Sequence, residues 1–114
     1  MDDVLAPSKL EEIRRLNDRL RTQFLGGSIM LTGTVDALSA VKKTVILAAI
    51  RAFSNFTEDG DPHGEHDFVS VTVDGETYFA KIDYYAPDME HGSEDPADPE
   101  KTRRVLVVMH SSDY

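Results

Sequence analysis

Apolar residues recur at three- and four-residue steps from Leu10 through Ile13, Leu16 and Leu20 to Phe24, the spacing of one helix face. Ser8 precedes Glu11 by three residues, so the hydroxyl and the carboxylate can each satisfy an orphan amide as a capping box. Gly26-Gly27 follows, and glycine closes a helix at little cost in the left-handed conformation. Ser28 to Thr34 is short, apolar and β-branched towards its ends, which predicts a strand. A second helix is predicted from Asp36 or Ser39, either of which is an acceptable N-cap. Its apolar series is Leu38, Val41, Val45, Ala48, Ala49, Ala52, Phe53 and Phe56, a stripe wide enough to predict the most buried element of the domain.

The period changes after a polar loop at 57–64. Phe68 to Val73 alternates apolar and polar positions, Asp74-Gly75 supplies two residues suited to positive φ, and Glu76 to Tyr85 alternates again. A two-residue turn there sets Val73 against Glu76, Val71 against Tyr78, Val69 against Ala80 and Phe68 against Lys81. Extended further, it sets His66 against Asp83. A second loop at 86–102 holds three of the five prolines, and RRVLVVMH at 103–110 predicts a strand apolar on both faces, hence central in its sheet. The order α-β-α-β-β-β predicts one α+β domain over residues 1–114, with two helices on one face of an antiparallel sheet.

Charge refines this picture. The 114 residues carry a formal net charge of −9, with 40% hydrophobic and 29% charged residues, a globular composition. Residues 58–100 hold fourteen acids against Lys81 alone. Such a field repels nucleic acid and anionic membranes and attracts a basic surface. Cysteine is absent, which excludes disulfides, thiolate-bound zinc and a thiol nucleophile. No apolar run is long enough to span a bilayer, and the start MDDVLAPSKL lacks the basic and apolar regions of a signal peptide. A cytoplasmic protein is expected.

Few residues suggest chemistry. An opposed His66–Asp83 pair could orient an imidazole as a general base, or could be an ion pair closing the hairpin mouth. No nucleophile is marked. Asp59, Asp61 and His63 fall at the first, third and fifth positions of a calcium loop with Gly64 at the sixth. Ser70 then stands where the bidentate glutamate belongs, and a strand follows in place of a helix. A rigid turn explains the same residues. No metal or other cofactor is expected, and no phosphate-binding glycine motif occurs.

The stretches DGDPHGEHDF at 59–68, KIDYY at 81–85 and DPADPEKTRRVLVVM at 95–109 resemble an uncharacterised family of small acidic bacterial proteins common on plasmids and prophages. NDRLR at 17–21 and GGSIMLTGTV at 26–35 are similar to it as well, although Gly60 and Val69 replace the Asn and Gly that the family favours. The resemblance implies kinship without an assigned activity, and a mobile-element context in which small acidic proteins inhibit host defence. The first expectation is therefore a binding protein and not an enzyme: an anti-CRISPR or anti-restriction inhibitor that blocks a basic nucleic-acid-binding surface on another protein. A structural or regulatory interaction protein and a hydrolase using His66 and Asp83 remain as alternatives. The expected contact surface is Asp59, Asp61, Glu65, Asp88, Glu90, Glu94 and Asp95, with Tyr85 supplying apolar contact and the loops at 57–66 and 86–102 lying together. Neither direct nucleic-acid nor membrane binding is expected.

Overall fold

The computed structural model describes residues 7–114. The acidic start considered above lies at 1–6, outside the described residues. Helix α1, Lys9–Gln23, begins at the expected capping box: Ser8 Oγ accepts from the Glu11 amide at 3.1 Å, and the Glu11 side chain bonds back to the cap. Its left-handed C-cap falls on Phe24 (φ 58°), two residues before the glycines. Gly27 is needed for a different reason. A Cβ there would lie 2.5 Å from the Arg104 carbonyl oxygen, so only glycine lets the first strand run this close to its neighbour.

Strand β1, Gly27–Leu31, is followed by a single helical turn, α2, Gly33–Asp36, and then by α3, Ala40–Ala52, capped by Ser39. The hairpin strands are β2, Phe68–Val73, and β3, Glu76–Tyr85, and the chain returns as β4, Arg103–His110. The sheet order is β1-β4-β3-β2. Val71 pairs with Tyr78 and Phe68 with Lys81, as the Asp74-Gly75 turn predicts. β4 is central, and Arg104 to Met109 are buried on both of its faces. The α+β class holds. One pairing departs from the antiparallel expectation: β1 lies parallel to β4, because the chain makes the whole helix-and-hairpin excursion before β4 enters between β1 and β3.

Leu20, Val35, Ile46 and Ile50 pack from the helices against Val69, Val71, Tyr78, Ala80, Ile82, Leu106 and Val108. The opposite sheet face carries a separate cluster of Val105, Val107 and Met109, flanked by Phe79 and Tyr85, with no helical residue in it. The stripe assigned to the second helix is corrected in phase. Val41 is 75% exposed and Val45 47%, while Ile46 and Ile50 turn inward, so the helix buries its isoleucine face and leaves the valine–alanine face outside. Arg21, buried at the α1–α3 contact, explains part of this rotation. Its guanidinium donates to the carbonyls of Ile50, Arg51 and Phe53 at the carboxyl end of α3. Ile50→Ala should cost about 2–5 kcal/mol in denaturant unfolding, and Val41→Ala within about 0.5 kcal/mol. Equal costs would contradict this phase.

Candidate functional site: the acidic end of the sheet

β2 and β4 begin, and β3 ends, at one end of the sheet, since Phe68 pairs with Lys81 and Tyr85 with Arg103. Both acidic loops therefore leave from that end. They are fastened there by a polar cluster buried beneath α1. Asn17 lies on the apolar face of α1 and is fully buried. Its Nδ2 donates to the Glu65 carbonyl at 3.0 Å and to the Tyr84 hydroxyl at 2.7 Å, while its Oδ1 accepts from Arg104 Nε at 2.8 Å. Tyr84 in turn donates to the Glu65 carboxylate at 2.6 Å, and Arg104 also donates to the Pro96 carbonyl. Glu65 belongs to the first acidic loop and Pro96 to the second, so the cluster joins both to one helix. Burial, and then the bond to Glu65, push the Tyr84 phenol far above its ordinary value, so it stays a donor at every physiological pH.

The His66–Asp83 pair does not form. The β2–β3 ladder runs out at Asp67, whose carbonyl accepts from the Ile82 amide at 2.9 Å, and His66 then takes a left-handed conformation (φ 58°). Its ring therefore turns to the helix side, stacks on Phe56 at 3.8 Å and 6°, and places Nδ1 2.9 Å from Asp18. Asp83 stays on the open face beside Lys81 at 3.3 Å. His66 thus anchors the loop, and the hydrolase built on that pair loses its geometry.

Three of the expected surface carboxylates are corrected likewise. Asp61 is 7% exposed, and both its oxygens accept from the His66 amide at 3.2 Å. Glu65 is half-buried and occupied by Tyr84. Asp95 is also half-buried, pairing with Lys9 at 3.5 Å. Asp59, Asp88, Glu90 and Glu94 are exposed, and Tyr85 packs half-buried against the open-face cluster. Asp88 caps the amides of Glu90 and His91, and those bonds hold its carboxyl below the ordinary value. Among the described residues, ligand-capable atoms converge within 4.8 Å at Asp88, Glu90 and His91, all exposed on a loop tip, and not at the 59–67 loop.

A cleft of about 420 Å³ opens where that loop meets the open face, lined by Asp59, His63, Asp67, Lys81, Asp83 and Tyr114 among others. His63, not His66, shares it with Asp83. Partial burial, and then the nearby Glu65 carboxylate, raise the Asp67 carboxyl above its ordinary value. Asn17 and Arg104 were not singled out from the sequence. One signal was present: Asn17 sits four residues after Ile13 and three before Leu20, a polar side chain within an apolar helix face.

A small α+β protein with an acid-lined cleft and two acidic loops braced at one sheet end is the class these features define. The family model described as "Protein of unknown function (DUF3768)" matches residues 31–113, and the chain belongs to that family. No curated protein and no solved structure matches it. Among the described residues, no helix is long and apolar enough to cross a membrane.

A carboxyl raised on folding lowers stability as pH rises from its unfolded towards its folded value. Asp67→Asn should therefore raise the melting temperature at pH 7, by the equivalent of less than about 1 kcal/mol for a half-exposed group. The gain should vanish well below pH 3.8, the ordinary aspartate value. A loss of stability at pH 7 would show that the Asp67 charge is compensated.

Proposed function

We propose that this protein acts by binding, presenting its acidic sheet end to a basic, nucleic-acid-binding surface of another protein. The observation that carries the reading is the shared origin of both acidic loops at one sheet end, where Asp59, Asp88, Glu90 and Glu94 are exposed. Exposed carboxylates contribute little to folding, so their concentration at one end has its main effect on what approaches it. The cleft suits a lysine or arginine side chain of the partner, with Asp59 and Asp67 for the charge beside the Lys81–Asp83 pair, and the Phe68 and Tyr114 rings for its stem. Tyr85, at the base of the second loop, adds an amphipathic contact. An inhibitor of a host-defence nuclease, of the anti-CRISPR or anti-restriction kind and carried by a mobile element, is the form of this activity we favour, with the acidic end standing in for DNA.

Binding of this kind is fast and weakens steeply with salt. The test is DNA binding and cleavage by a panel of purified restriction enzymes and CRISPR effector complexes, with and without the protein. At least one should be inhibited at low salt, and the triple variant Asp59→Lys, Glu90→Lys, Glu94→Lys should lose that inhibition while melting within a few degrees of the parent. These positions avoid Asp61, Glu65 and Asp95, which brace the loops. A panel left uninhibited, or a variant as potent as the parent, would overturn the reading.

A further inference from the structure

β1 is an edge strand, and among the described residues nothing pairs with its outer side. The Thr32 amide donates to the Val108 carbonyl at 3.0 Å, which fixes the alternation along the strand. Ser28 and Met30 therefore direct their backbone groups at β4, and Gly27, Ile29 and Leu31 direct N–H and C=O outward. Natural sheets guard such an edge with lysine, proline, a bulge or a covering element. β1 has no charge and no proline, and residues 24–35 form a twelve-residue stretch without a charged side chain. Apolar surface accompanies the open backbone, with Ile29 37% and Met30 51% exposed.

We propose that β1 is a self-association edge, pairing antiparallel with β1 of a second copy to join two four-stranded sheets into one of eight. A two-fold axis at Ile29 sets Ile29 against its own counterpart and Gly27 against Leu31, so the outward N–H and C=O of all three residues find partners. Ile29 meets its copy on the helix-covered face, and Met30 extends the apolar strip of Val105 and Val107 on the open face.

Charge selects this edge as the place where two copies can meet. Copies of a chain of net charge −9 repel, and the uncharged β1 segment lets them meet with the least opposition. β1 also starts at the acidic end of the sheet, since Gly27 pairs with Arg104. The antiparallel arrangement therefore sends the two acidic ends in opposite directions. The other edge, β2, is bounded by Asp67 and Asp74, and a two-fold pairing there would bring these acids together.

Sedimentation velocity of the full chain from about 5 to about 500 µM should show a monomer–dimer equilibrium, as expected for a short strand pair. Ile29→Lys should weaken it at least about tenfold. Amide exchange on the unmodified protein gives a readout independent of that variant's folding: Gly27, Ile29 and Leu31 should slow as concentration rises. A chain monomeric throughout overturns the proposal, including one that takes an extended peptide of another protein on this edge. So does a dimer unaffected by Ile29→Lys, such as one built on the exposed Val41–Val45 face of α3, or a dimer in which those three amides exchange freely.

Discussion

One buried polar residue, Asn17, determines how the chain's two halves meet. It uses both donors and its acceptor on partners from three other parts of the fold: the Glu65 carbonyl, the Tyr84 hydroxyl and the Arg104 guanidinium. The acceptors that meet the Arg104 side chain are an amide oxygen and a backbone carbonyl, not a carboxylate. Burial pulls its pKa down, yet guanidinium starts so high that it remains a cation. An uncompensated buried charge costs several kcal/mol, and here it is answered by the Asn17 amide oxygen, the Pro96 carbonyl and the face of the Tyr84 ring at 5.2 Å. The Glu65 carboxylate completes the arrangement through the Tyr84 hydroxyl. Such a cluster is stable only when every member is satisfied, so its parts stand or fall together.

That interdependence links packing to the surface. Seating the loops requires Glu65 and Pro96 to meet the same helix, and the Asn17–Arg104 contact brings them there. His66 supports the first loop from the other side, stacked on Phe56 and held by Asp18, and Asp61 receives the backbone amide that the left-handed turn leaves free. Carboxylates near the cluster are thus consumed by the fold, and those farther out, Asp59, Asp88, Glu90 and Glu94, are left to face solvent. The division between structural and available acids follows from which carboxylates find partners within the fold, Asp61 at the His66 amide, Glu65 at Tyr84 and Asp95 at Lys9, and not from position in the sequence.

The parts of the fold legible in the sequence were those set by local chemistry. The capping box at Ser8, the Asp74-Gly75 turn with its register, and the double-sided apolar character of β4 each depend on a few adjacent residues. The misjudged parts depend on distant ones. α3 offers two apolar stripes, and Arg21, reaching its carboxyl end from another helix, helps select the isoleucine stripe. Continued β geometry predicts a ladder reaching His66, whereas stacking on Phe56 and the bond to Asp18 favour a left-handed residue there. Glu65 resembles a surface acid in the sequence because its partner, Tyr84, approaches only once the sheet has formed, and Asp61 because its bond to the His66 amide depends on the left-handed turn there. The parallel entry of β1 likewise follows from where β4 inserts, which no local pattern encodes.

Hydrogen exchange on an Asn17→Leu variant, a near-isosteric change that removes all three bonds, tests most directly whether this residue holds both loops. The amides at Gly64–His66 and those at 93–102 should lose protection together, while the β2–β3 hairpin keeps its own. Loss in one loop alone, or protection unchanged in both, would contradict the account and leave the acidic end of the sheet without the brace assigned to it.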